Sequence, residues 1–166
     1  MTTVYVGLGS NLGARRAMLM EASRRLGAVV ETPQMSRIYE TDPVGDEVQP
    51  RYLNAVMGGT TDLSPFRILR ELQTIENALG RERPYPNAAR TIDLDLLLYD
   101  TLILNTPELI LPHPRLHERF FVLVPLAELA PDLRHPRLAR TTRELLGMLG
   151  PASGIRLHCP IQNGHR

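Results

Sequence analysis

The sequence predicts an α+β fold: a ferredoxin-like βαββαβ core with an antiparallel sheet, followed by short C-terminal helices. Three observations predict it. Residues 4–100 carry apolar patterns in the order strand, helix, strand, strand, helix, strand. Glycine or proline punctuates most of the joins. No linker, repeat or low-complexity stretch divides the 166 residues, so one domain spanning 1–166 is expected.

The elements follow in order. VYVGLG at 4–9 reads as a short buried strand ending in a glycine turn. Met18, Leu19, Ala22 and Leu26 then recur at helical spacing, and Gly27 is the expected stop. Residues 28–40 read as extended, with Pro33 at a bulge or an edge. Residues 41–51 are rich in turn formers and predict a long loop. A third strand is expected over 52–63. Ser64 and Pro65 supply an N-cap and a first-turn proline for a helix with Phe66, Ile68, Leu69, Leu72, Ile75 and Leu79 on its apolar side, ended by Gly80. Residues 81–90 form a basic, proline-broken loop, and 91–100 a fourth strand. Beyond a loop around Pro112-His113-Pro114, short helices are expected near 121–130 and 141–149.

Composition narrows the function classes. A net charge of +1 is too small for a general nucleic-acid binder, so no nucleic-acid partner is expected. No apolar run reaches the ~18 residues a membrane span needs. The N-terminus lacks a basic segment and runs into a strand, which argues against a secretory signal. The lone Cys159 cannot form an internal disulfide; it fits a reducing compartment, and a cytoplasmic location is expected. All 19 basic residues other than histidine are arginine. That excludes a Walker A loop and Schiff-base catalysis, both of which need lysine. Phosphate, if handled, would fall to arginine forks, backbone amides and metal.

The sharpest chemical feature is Asp93-Leu94-Asp95. Residues two apart on a strand share a face, with α-carbons roughly 6.6 Å apart. Carboxylates at that spacing can converge on a hard cation such as magnesium, which combines one or two carboxylates with phosphates and waters. A plain solvated strand face is the competing reading, although like charges repel there and aspartate is a poor strand former. Arg81, Arg83 and Arg90 precede this strand and suit a polyphosphate, or are simply solvated. His113, stiffened by two prolines, is a candidate phosphate contact or proton donor. Tyr52 and Asn54 put an aromatic plane beside an amide on one strand face, as a flat heterocycle requires; ordinary sheet packing is the competing reading. Arg119 and Phe121 follow the histidine loop and could close over such a ring, and Phe121 would serve equally well as core. The glycines of Gly7-Leu8-Gly9-Ser10-Asn11-Leu12-Gly13 match a dinucleotide fingerprint poorly, because Leu12 stands where its third glycine belongs.

These features occur in a longer series: GSNLG at 9–13, YETDPVG at 39–45, YLNAV at 52–56, IE at 75–76, GRER at 80–83, ARTIDLDLLLY at 89–99 and LPHPRLHERFFVLVPLAELAP at 111–131. In this order they resemble the 6-hydroxymethyl-7,8-dihydropterin pyrophosphokinase family of folate biosynthesis. The resemblance implies transfer of a pyrophosphoryl group from ATP, as co-substrate, to 6-hydroxymethyl-7,8-dihydropterin, with AMP released. It implies two Mg2+ ions on Asp93 and Asp95. Gln73, Glu76, Arg81, Arg83, Arg90, His113 and Arg119 would contact ATP, with Arg81 and Arg90 nearest the chemistry. Tyr52 and Phe121 would sandwich the pterin, Asn54 would read its edge, and Thr41, Asp42 and Val44 would offer mainly backbone contacts. A monomer is expected. Asn87-Ala88-Ala89 stands where the family often has Trp-Gly-Pro. Two rival readings are another metal-dependent phosphoryl or nucleotidyl transferase with paired aspartates, and a non-catalytic ligand-sensing module of the same fold.

Overall fold

A computed structural model of the chain describes residues 1–43, 49–80 and 92–158. Val44, Arg81, Arg83, Arg90 and Cys159 lie outside the described residues. The elements are β1 (Thr2–Ser10), α1 (Arg15–Leu26), β2 (Glu31–Met35), β3 (Tyr39–Thr41), β4 (Tyr52–Thr61), α2 (Pro65–Ala78), β5 (Asp93–Tyr99), β6 (Leu104–Asn105), β7 (Ile110–Leu111), α3 (Phe120–Leu129), α4 (Thr142–Met148) and β8 (Ile155–Leu157). A single 3-10 turn at Leu116–Glu118 precedes α3.

Six strands form one antiparallel sheet. β1 is central, between β5 and β4; β2 and β3 both pair with the far side of β4, and β8 adds to β3. The expected single strand over 28–40 is therefore two strands on one edge. The break falls at residues 36–38, where the Ser36 side chain accepts the Val56 N–H at 3.0 Å and the Arg37 N–H turns away to the Glu128 carboxylate at 2.8 Å. Within β2 itself Pro33 cannot donate to the ladder, Thr32 takes a positive φ of 47°, and the register with β4 shifts between Glu31 and Gln34, a bulge.

Period-two alternation divides the sheet into two faces. Val4, Val6 and Leu8 of β1, Leu53, Ala55 and Met57 of β4, and Leu94 and Leu96 of β5 join one core with Leu19, Ala22 and Leu26 of α1 and Ile68, Leu72 and Ile75 of α2. Ser64 caps α2, its Oγ accepting from the Arg67 N–H at 3.3 Å, with Pro65 in the first turn. Phe66 is 38% exposed, contrary to expectation. It stands two positions before Ile68, about 200° away around the helix, and so falls off the Ile68–Leu72–Ile75 stripe. Gly80 follows α2 with a φ of 77°, whereas Gly27 after α1 stays right-handed.

Among the described residues, helices cover the second face at one end only. There Val56, Leu97 and Leu98 pack with Leu116, Val122, Leu123, Leu126 and Leu145, beneath α3 and α4. Glu128 of α3 ties this layer to the sheet edge: its carboxylate accepts from the Arg37 N–H (2.8 Å), Arg37 Nε (3.0 Å) and Tyr39 Oη (2.7 Å). No helix among the described residues is long and apolar enough to cross a membrane.

Replacing Leu72, 1% exposed, with alanine should cost roughly 2–5 kcal/mol in urea unfolding. Phe66→Ala, off the stripe, should cost under about 1 kcal/mol. Equal losses from the two changes would contradict this division of α2.

Candidate active site

The uncovered end of the second sheet face is where the chemistry-bearing residues collect. β1 ends there with Gly7 and Gly9 on the open face. Gly9 pairs with Asp93 on one side and with Asn54 on the other, and Gly7 pairs with Asp95. A row Asp93–Gly9–Asn54 thus crosses three strands with no side chain at its centre. The result is a floor with carboxylates on one side and an aromatic and an amide on the other. A cavity of about 170 Å³ sits on it, lined by Gly7, Gly9, Thr41, Asp42, Tyr52, Asn54, Asp93, Asp95, Arg115, Arg119 and Phe121, with Leu97 and Val122 at its border with α3.

Gly9 is fixed by a steric demand. A Cβ there would lie 2.8 Å from Asn54 Oδ1 and 3.7 Å from the Tyr52 ring. The Asn54 amide is oriented from its other end, where Nδ2 donates to Thr41 Oγ1 at 2.6 Å. Its Oδ1 is thereby turned over the glycine floor as an acceptor. Tyr52, two residues earlier on β4, lies on the same face and pairs with Thr41. Arg119 leads into α3 with its guanidinium 5.2 Å from the Phe121 ring centroid, a cation–π contact at the mouth of the cavity.

Asp93 and Asp95 alternate with buried Ile92, Leu94 and Leu96. Their strand is held from behind by Glu76: this buried carboxylate accepts the Leu94 N–H at 3.1 Å, on the one residue between the two aspartates. Among the described residues no three metal-binding side chains cluster. Two carboxylates on a rigid strand, open to a cavity, are nevertheless a set that fits magnesium, whose remaining positions go to waters and substrate phosphates.

His113 reports the local electrostatics. Burial pushes its imidazole pKa down to about 4; the Arg119 charge adds to this, Asp93 opposes it, and Arg115 lowers it further. Its Nδ1 accepts the Arg115 N–H at 3.2 Å, which leaves the proton of the neutral ring on Nε2. Arg119 also loses hydration, which lowers its pKa, and the carboxylates of Asp95 and Asp93 offset that.

Of the residues singled out from sequence, Asp93, Asp95, Thr41, Asp42, Tyr52, Asn54, Arg119 and Phe121 meet at one cavity. His113 adjoins it through Asp93 and Arg119. Gln73 is exposed on α2, and Glu76 is buried behind β5. Sequence reasoning missed Gly7, Gly9, Gln49 and Arg115 as lining residues. The glycines did carry a signal: at alternate positions of one strand they leave a face without side chains.

The model of 7,8-dihydro-6-hydroxymethylpterin-pyrophosphokinase (HPPK) matches residues 5–131. The 2-amino-4-hydroxy-6-hydroxymethyldihydropteridine pyrophosphokinase of Bacillus subtilis is 43% identical over 154 residues, covering 91% of this chain and 92% of that one. Its namesake from Pseudomonas aeruginosa is 44% identical over 154 residues, covering 92% and 94%. In the solved structures, HPPK-DHPS of Plasmodium falciparum with pteroate superposes at a TM-score of 0.71, with 14% identity over 89% of this chain and 42% of that one. That likeness concerns the fold, and this chain spans under half of the Plasmodium chain. The match over residues 5–131, together with close identity to full-length relatives, establishes that the chain belongs to the 7,8-dihydro-6-hydroxymethylpterin-pyrophosphokinase family.

Proposed function

We propose that the protein catalyses ATP-dependent pyrophosphoryl transfer to 6-hydroxymethyl-7,8-dihydropterin, yielding the pterin diphosphate and AMP, in folate biosynthesis. The observation that carries this is the cavity over Gly7 and Gly9, with two carboxylates at one end and an aromatic–amide pair at the other. One end suits a metal-bound polyphosphate, and the other a flat polar heterocycle.

In this reading the pterin stacks between Tyr52 and Phe121, and Asn54 Oδ1 accepts from a ring N–H donor. Thr41 holds that amide in place, and the family resemblance gives Thr41, Asp42 and Val44 mainly backbone contacts to the ring. Stacking alone tolerates many rings; the fixed acceptor supplies the selectivity, because a misplaced ring leaves it without a donor. Asp93 and Asp95 would hold two Mg2+ ions, which when bound neutralise the triphosphate and polarise its phosphoryl oxygens. The pterin hydroxymethyl oxygen attacks the β-phosphorus in line; the bond from that phosphorus to the α,β-bridging oxygen breaks, AMP departs with the oxygen, and the hydroxyl proton is released. Arg119, and Arg81, Arg83 and Arg90 of the preceding loop, stabilise charge on the transferring group. Neutral His113 donates from Nε2 to a phosphate oxygen. Glu76 and Gln73 belong to the ATP side, Glu76 by fixing the β5 backbone.

The order β5-β1-β4, with β2 and β3 on the outer edge, supports a ferredoxin-like βαββαβ core within a single domain, 1–166. The reading includes a cytoplasmic monomer with small-molecule substrates only.

Product analysis tests the reaction. Incubation with ATP, magnesium and the pterin alcohol should give AMP and pterin diphosphate in equal amounts; ADP instead would overturn the assignment. Asp95→Asn should lower kcat by about 100-fold or more, as loss of a preorganised charge-stabilising group does, with an unchanged circular dichroism spectrum. Normal turnover in that variant would remove the metal assignment. In the protein free of metal and nucleotide, NMR should find the His113 ring neutral down to about pH 4. Its depressed pKa makes the unfolded chain bind more protons between the ordinary histidine value and about 4. The associated stability is therefore complete above the ordinary value and is lost as pH falls through that window. His113→Gln should flatten this part of the stability profile, and an unchanged slope would show the ring to titrate normally.

A further inference from the structure

We propose that Glu40 is a positioning residue for the pterin end of the site, acting from behind its wall with the C-terminal strand as its clasp. This inference rests on the pterin reading above and concerns a part of the machinery that includes residues beyond the 5–131 match.

Thr41 lines the cavity, whereas Glu40, one residue earlier on β3, points to the opposite side. There its carboxylate gathers three guanidinium groups from three separate segments. Arg156 of β8 donates to Oε1 at 2.7 Å, Arg15 at the start of α1 donates to Oε2 at 3.4 Å, and Arg51 just before β4 lies 3.6 Å from Oε1. Cross-links tighten the group. Arg15 donates to the Arg51 carbonyl at 2.7 Å, and Arg51 Nε meets Asp42 Oδ1 at 3.2 Å. The hydrogen bond from Arg156, aided by all three charges, holds the Glu40 carboxyl below the usual carboxylate range. One side chain thus joins the start of α1, the end of β3, the lead into Tyr52 and the last strand among the described residues.

β8 makes this junction a clasp. It pairs with β3 along its whole length, Tyr39 with Leu157, Glu40 with Arg156 and Thr41 with Ile155. The pairing continues past both ends: Asp42 N–H donates to the Gly154 carbonyl and His158 N–H to the Ile38 carbonyl, each at 2.9 Å. Gly154 holds a φ of 67°, a left-handed conformation that favours glycine, and a Cβ on it would also press on Asp42 Oδ2 at 3.0 Å. Thr41 in turn fixes Asn54. Order therefore passes from β8 and Glu40 through Thr41 to the amide that reads the ring, while Asp93 and Asp95 lie across the sheet on another strand.

The consequence is a selective effect on one substrate. Glu40→Gln, which keeps the shape and removes the charge, should raise the pterin KM roughly tenfold, as loss of charge-assisted bonds predicts. kcat at saturation and the ATP KM should stay within about twofold, because no contact of Glu40 touches β5. Arg156→Gln removes one exposed partner and should raise the pterin KM roughly threefold. Arg156→Lys, which retains the charge, should recover most of that loss. Thermal unfolding, followed alongside, checks that each variant is folded at the assay temperature, and Arg156→Gln provides the milder case should Glu40→Gln fail to fold. Equal weakening of ATP and pterin, or no change in either KM, would overturn the proposal. A wild-type protein inactive with the pterin alcohol would instead overturn the functional reading, so the two failures are distinguishable.

Discussion

Everything in this molecule depends on one face of the sheet being covered by helices over only part of its length. α1 and α2 seal the first face, and α3 and α4 pack over Val56, Leu97 and Leu98 on the second. At the remaining end β1 presents Gly7 and Gly9, so no central side chain fills the space. The hydrophobic contacts that stabilise the fold therefore stop where the cavity begins, and the polar groups there are carried on strands braced from behind. Buried Glu76 on the Leu94 amide is one such brace, and the Glu40 junction is another.

Much of this architecture was legible in the sequence because it rests on local periodicity. β1, β4 and β5 announce themselves through alternation, and α1 and α2 through apolar stripes with glycine or a Ser-Pro cap at their ends. What local pattern could not carry was pairing. The split of 28–40 into β2 and β3 comes from long-range bonds at 36–38, the Val56 N–H to the Ser36 hydroxyl and the Arg37 N–H to Glu128, which no local pattern reveals. β8 has three residues, of which Leu157 is 42% exposed, and it forms because β3 offers an edge. No periodicity distinguishes so short a segment. Phe66 shows the opposite failure: an apolar residue near an apolar stripe was counted into it, although the helical angle excludes it.

The site was legible in a similar way. Asp93 and Asp95 could be assigned to one face by counting, as could Tyr52 and Asn54, because a strand turns its side chains with a fixed period. That Gly9 stands between the two groups is a cross-strand fact, set by register rather than by neighbours in sequence. Glu40 escaped notice because its partners Arg15, Arg51 and Arg156 lie 25, 11 and 116 residues away, and its neighbours Thr41 and Asp42 looked like the functional part of that segment. Arg115 was overlooked beside His113, although its backbone amide decides which imidazole nitrogen carries the proton.

The three hydrogen bonds accepted by Glu128 bear on how the molecule can move. They rivet α3 to Arg37 and Tyr39, immediately before Thr41. Phe121 on the helix and Thr41 on the strand consequently belong to the same stiff frame, like the two arms of a locked caliper. Any change in the spacing of these two lining residues has to strain or break those bonds. A single carboxylate on α3 thus governs how far that helix can lift from the sheet edge.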